Sequence, residues 1–161
     1  MPARLPRTVE SDPRHDAVRA TLARTAALGP LRVPHVPLTD ALVAALGAAA
    51  RTGRLVRGLE AVVAALDAEH RGLVAAGLAT GARVARLLLV TTDGSERFYR
   101  QVARAVEAHG GDGGRLLVVA VASDAASFGV RVFGGDATAK AVGVSHKDAV
   151  ADVLFALANE G

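Results

Sequence analysis

Residues 86–92 read Arg-Leu-Leu-Leu-Val-Thr-Thr, an unbroken apolar run that predicts a strand buried on both faces, since a half-exposed strand alternates apolar with polar. A second such run spans Leu116 to Val121. Between them Asp93-Gly94-Ser95 turns the chain, and Phe98, Val102 and Val106 recur at helical spacing. A glycine-rich loop, Gly110 to Gly114, then leads into the second strand. Strand, helix, strand with both strands apolar throughout is the pattern of an α/β protein with a sheet covered on both sides.

The same reading extends in both directions. Downstream, Ser123-Asp124 starts a short helix containing Phe128, and Thr138 to Val144 reads as the last strand. Ser145 with Asp148 three residues later resembles a capping box for a final helix whose face is Val150, Val153, Leu154 and Leu157. Upstream, Leu59, Val62, Val63, Leu66, Leu73, Val74 and Leu78 follow Gly58 as one helix of about twenty residues. Gly72 and Gly77 weaken it by about 1 kcal/mol each, so a break near Gly72 is the alternative. A helix from Thr39 carries Leu42, Val43, Leu46 and Ala50 and stops at Gly53, and Leu55-Val56 is a candidate sheet edge. At the start, Asp12-Pro13 opens a helix through Ala17, Val18, Leu22 and Ala26 that Gly29-Pro30 ends. Residues 30 to 38, with Pro30, Pro34 and Pro37, read as an extended connector. The expected architecture is a three-layer α/β/α sandwich with a small mixed sheet of about four strands over residues 38–161, preceded by an N-terminal helix and proline-containing connector over residues 1–37.

Composition narrows the chemistry. A chain of 161 residues with 51% hydrophobic content buries a core without staples. It has no cysteine, so disulfides, thiolate metal sites and cysteine nucleophiles are absent. The five histidines stand at unrelated spacings with no H-x-x-x-H pair, so no metal is expected. The glycine cluster lacks a Walker lysine and follows a helix instead of preceding one, which makes it a connector, and no cofactor is expected. Ser95 follows a buried strand where α/β sheets bind ligands, yet capping the next helix is its simpler role. No catalytic set of base, nucleophile and orienting group assembles from these residues. Aromatic residues are 3% of the chain and most of them fall on apolar faces, which argues against base-stacking recognition. No run approaches 18 apolar residues and no apolar stretch follows the basic N-terminus, so a cytoplasmic protein without a membrane span is expected.

The charge distribution is more informative than its total of +3. Residues 1–57 carry nine arginines against Glu10, Asp12, Asp16 and Asp40, whereas residues 58–161 are net acidic. With 17 arginines and only Lys140 and Lys147, the basic side is almost all guanidinium, the group that pairs bidentately with phosphate. An arginine-rich solvated face is the plain alternative. The segment Ala48 to Leu66, AAARTGRLVRGLEAVVAAL, brings Arg51, Arg54 and Arg57 together in sequence just before Gly58 opens a helix. Both features favour phosphate contacts.

This layout resembles the ribosomal protein family of kink-turn RNA binders, the L seven Ae family, in a divergent bacterial form. Its members read alanine, a glycine-lysine pair, two hydrophobic residues and a second glycine here, followed by a helix whose first turn meets the RNA. Arg86 to Asp93 is similar to that family's buried strand, and Ser123 to Gly129 to its loop and leucine-glycine pair, with Phe128 in place of leucine. Lys140 to Val144 resembles its last strand. The resemblance implies an RNA site at Arg51, Arg54, Arg57, Gly58, Glu60, Ser123, Phe128 and Gly129. The departures are Glu60 where the family carries asparagine, and Ala64 where a lysine stands. The expected function is therefore non-catalytic binding of structured RNA, ribosomal RNA included, in a ribonucleoprotein. The alternative is a protein-interaction module on the same fold that has lost RNA binding and meets its partner through the long helix.

Overall fold

A computed structural model of the chain describes residues 4–77, 83–110 and 114–159. In chain order its elements are α1 (Arg7–Glu10), α2 (His15–Leu22), β1 (Thr25–Leu28), β2 (Leu31–Pro37), α3 (Asp40–Arg51), β3 (Leu55–Arg57), α4 (Leu59–Ala75), β4 (Arg86–Thr91), α5 (Glu96–His109), β5 (Leu116–Ala122), α6 (Ala125–Phe133), β6 (Ala141–Val144) and α7 (Lys147–Leu157).

The run that decides the class, β4, lies inside the sheet. It pairs in parallel with β5 from Arg86↔Leu116 to Thr91↔Val121 and antiparallel with β6 from Leu87↔Val144 to Val90↔Ala141. Its alternating residues enter two separate cores, which is why no polar position interrupts it. Leu87 and Leu89 pack with Val119, Val142 and Phe128 on the face covered by α3, α6 and α7. Leu88 and Val90 pack with Val118, Val62 and Val102 on the face covered by α4 and α5. The protein is α/β, with helices against both faces.

The sheet is open and mixed, in the order β1-β2-β5-β4-β6-β3. Among the described residues it has six strands where about four were expected, and the two extra ones come from residues 25–37. Gly29-Pro30 does not stop a helix. It is the two-residue loop of a β1-β2 hairpin, with Leu28↔Leu31 as the closing pair and Gly29 at φ +55°, the positive angle such a turn takes at its first position. The helix expected through Ala26 therefore ends at Leu22, and Ala26 lies in β1. Pro34 is tolerated because it precedes the β5 ladder, while the β1 side continues past it with the His35 amide donating to Arg24 O at 2.8 Å. Pro34 pairs with Thr25 of β1, and pairing with β5 begins one residue later at His35 and ends at Pro37. The missing Pro34 amide thus interrupts neither ladder. The stretch read as a connector is a strand of the sheet, and Val9 and Val18 of α1 and α2 are buried in the same core as Val150 and Leu154.

Helix starts follow their local signals. Thr39, Ser95 and Asp124 accept from Leu42, Phe98 and Ser127 backbone amides at 3.1, 3.1 and 2.6 Å. The last start differs from expectation: His146 Nδ1 accepts from the Asp148 amide at 3.1 Å, one residue past the serine. Ser145 is still engaged in pairing, its amide donating to Arg54 O at 2.9 Å. Gly72 leaves α4 unbroken, while Leu78 and the middle of the Gly110–Gly114 loop lie outside the described residues. Among the described residues no helix is long and apolar enough to cross a membrane.

Candidate nucleic-acid interface

Strand β3 separates the arginines that the sequence holds together. Because β3 and β4 are both antiparallel to β6, strands β2, β3, β4 and β5 all run the same way. Their starts define one edge of the sheet and their ends the other. Arg54 stands at the starting edge and Arg57 at the finishing edge, about 10 Å away at about 3.3 Å per residue.

At the finishing edge the resemblance placed Arg57, Gly58, Glu60 and Ser123, and strand ends do bring these elements to one side. Arg57 Nη2 donates to Thr138 O at 2.7 Å, and its guanidinium stands 4.9 Å from the centre of the Phe133 ring. The Gly58 amide donates to Ala141 O at 2.9 Å. Gly58 adopts φ +95° with no side-chain cap over the first turn of α4, where Glu60 exposes its carboxylate. Gly58→Ala is expected to cost about 1–3 kcal/mol from backbone strain alone, because open space surrounds the added methyl; urea unfolding checks it.

Phe128 and Gly129 do not belong to any surface. Phe128 is 0% exposed. A Cβ on Gly129 would lie 2.4 Å from Ala137 O and 2.5 Å from Thr138 Cα, so this glycine exists to let α6 approach the chain ahead of β6. Neither residue can touch RNA. The apolar helix spacing around Phe128 is the sequence signal for core.

The finishing edge also carries a carboxylate. Asp93 joins two loops there: its Oδ1 accepts from Thr91 Oγ1 at 2.8 Å and its Oδ2 from the Ala125 amide at 3.1 Å. Tyr99 OH donates to Thr91 O at 2.8 Å and accepts from the Gly94 amide at 2.9 Å. The Ala125 amide above all, then the Thr91 hydroxyl and the Lys140 charge, hold the Asp93 carboxyl below its usual value against the opposing effect of burial. Both carboxylate oxygens are spent on the fold, and Ser95 on its cap. A carboxyl with a lowered folded pKa stabilises above the ordinary carboxylate range and loses that contribution as pH falls through the folded value. The melting temperature is therefore expected to fall below about pH 4, with a shallower acid limb in Asp93→Asn.

The starting edge is basic, and its members come from distant parts of the chain. Arg115 precedes β5, Arg86 opens β4, Lys147 follows β6 by three residues and Arg54 precedes β3. Since β5, β4, β6 and β3 are adjacent in that order, each of four neighbouring strands ends here beside a cation. At about 4.8 Å per strand the row spans about 14 Å. Arg86 Nε donates to Glu69 Oε1 at 3.0 Å. Glu69 Oε2 sits 2.9 Å from the same nitrogen and 3.4 Å from Arg115 Nη1, paired in charge but not aligned for a further hydrogen bond. Burial, reinforced by the Arg86 charge, lowers the Arg115 pKa against the pull of Glu69. Two guanidiniums share one carboxylate, which leaves one positive charge unbalanced. Arg54 and Lys147 have no acidic partner within ion-pair distance among the described residues, nor has the exposed Arg51 at the end of α3.

No protein-family model matches the sequence, and neither does any curated protein. A solved structure of a protein of unknown function from Bacillus halodurans is similar at 18% identity, over 70% of this chain and 95% of that one, with a TM-score of 0.43. A superposition that loose assigns no role to any residue.

One further concavity lies on the opposite face from α7. A groove of about 500 Å³ runs between α4 and α5, its floor formed by Leu59, Val63, Ala64, Ala105 and Ala108. His109 Nε2 closes one end at 2.7 Å from Asp67 Oδ1, joining the two helices. His109 thus pairs with a neighbouring helix in addition to sitting at the end of its own.

Proposed function

We propose that the protein is a non-catalytic RNA-binding protein whose phosphate-contacting surface is the basic starting edge of the sheet. The observation that carries this reading is the row Arg54, Lys147, Arg86 and Arg115 across four adjacent strand ends. Guanidiniums and an ammonium spaced along one edge suit a chain of phosphates, which supplies affinity without reading bases. The scarcity of aromatic residues fits backbone recognition better than stacking.

This reading departs from the kink-turn layout it resembles. In that family the glycine turn before the RNA-facing helix is the contact. Here Glu60 stands exposed in the first turn of the helix after that glycine, and the arginine before it is bonded to Thr138. The deciding experiment measures binding of a structured RNA across a salt series in the wild type, in Arg54→Ala with Lys147→Ala, and in Arg57→Ala. Affinity should fall steeply with salt, weaken in the double variant and hold in Arg57→Ala. Salt-independent binding, or loss only in Arg57→Ala, would remove the starting edge as the site.

The groove between α4 and α5 favours a second reading, a protein-interaction module using the long helix. Co-purification of a partner that survives nuclease treatment and is lost in Ala64→Arg would put this reading ahead of the first.

A further inference from the structure

Beside Lys147, at the basic edge, a cavity of about 310 Å³ opens where α1, the approach to β4 and the start of α7 meet. Its charged and polar lining consists of Arg7, Thr8, Arg83, Lys147 and Asp148, with Val84 in its apolar wall. We propose that this cavity binds a phosphomonoester, the chemistry shared by the 5′ end of an RNA and by a free mononucleotide.

The charge count is the first argument. Arg7 and Lys147 face the single carboxylate of Asp148, and Arg83 stands beside them already paired with Glu10, so the cavity keeps a net positive charge that suits a phosphate oxyanion. Arg7 and Lys147 have no acidic partner within ion-pair distance among the described residues.

Geometry is the second argument. Arg83 Nη1 donates to Leu5 O at 3.0 Å and to Glu10 Oε1 at 2.8 Å, which holds the guanidinium in place before any ligand arrives. A fixed guanidinium loses little freedom on binding an oxyanion. The Thr8 hydroxyl adds a donor, and Asp148 can accept from a sugar hydroxyl. The volume lies at the small end of ligand pockets, which run from about 300 to 1,000 Å³. That is room for one phosphate with its sugar and not for a polymer passing through, so the site selects a chain end or a single nucleotide.

The cavity adjoins the proposed RNA surface through Lys147 but stands on its own observations, so the two readings fail separately. Two forms of one RNA oligonucleotide, 5′-phosphorylated and 5′-hydroxyl, are titrated by fluorescence anisotropy, and adenosine 5′-monophosphate is titrated by amide NMR. The phosphorylated RNA should bind at least fivefold tighter, and Arg7→Gln should abolish that preference while leaving the affinity of the hydroxyl form unchanged. The Arg7 side chain is exposed and makes no ion pair among the described residues, so its loss leaves the fold intact. The monophosphate should shift the Thr8 and Val84 amides, more weakly in Arg7→Gln and at lower concentration in Asp148→Asn, where the opposing charge is gone. Equal affinity for the two RNAs with no amide shifts overturns the cavity site and leaves the RNA surface standing. Amide shifts with no binding of either RNA keep the site, as one for free nucleotides, and overturn the RNA surface. A preference for the phosphorylated end that survives Arg7→Gln also overturns the proposal.

Discussion

Phe128→Ala is expected to destabilise the protein by about 3–5 kcal/mol. Phe128 is the largest of the fully buried side chains and packs among Leu89, Val142 and Leu154 between α6 and the sheet. Removing it costs the transfer of the ring to water and leaves a cavity that the flanking strands cannot collapse into, because β4 and β6 are held by their ladders. A domain of this size has a total stability of about 5–15 kcal/mol, so the variant should melt about 10 °C lower. Phe128→Leu, which keeps most of the apolar volume, should cost under about 1.5 kcal/mol. Chemical denaturation of both variants checks the pair. An RNA-contacting Phe128 would give the opposite outcome, with stability unchanged and RNA affinity lost.

The largest expected effect on binding belongs to Arg54→Ala combined with Lys147→Ala. A charge-assisted contact to phosphate contributes about 1.5 kcal/mol or more at low salt, so losing two should weaken RNA binding roughly a hundredfold. The salt dependence is the sharper readout. Each neutralised phosphate contributes about 0.7–0.9 to the slope of log affinity against log salt, so the double variant should lose about 1.5 from that slope while its preference among RNA sequences stays the same. Both side chains lack partners among the described residues, so melting temperature should barely move. A variant with full slope would show that the phosphates lie elsewhere.

The parts of the fold legible along the chain are those decided by near neighbours. The strands at 86–91 and 116–122, the long α4, and the caps Ser95 and Asp124 follow from runs, helical spacing and residues three apart. Two misreadings arose where a local signal had two meanings. Gly29-Pro30 ends a helix or turns a hairpin with equal ease, and prolines mark a connector unless they fall where no ladder needs their amide, as Pro34 does just ahead of the β5 ladder. Ser145 looked like a cap because nothing nearby in sequence reveals that Arg54 holds its amide.

The candidate site obeyed different rules. Arg51, Arg54 and Arg57 are close in sequence, yet an extended strand moves its ends about 10 Å apart over three residues, which puts Arg57 at the edge opposite Arg54, Arg86, Arg115 and Lys147. Arg83, Arg86, Arg115 and Lys147 lie in the part of the sequence that is net acidic, and no spacing connects them. The sequence by itself determined the class of fold, the buried strands and the supply of guanidinium without thiols. The tertiary structure alone decided which arginines are neighbours, because strand order and direction determine which chain segments meet at an edge, and these depend on pairings between residues far apart along the chain.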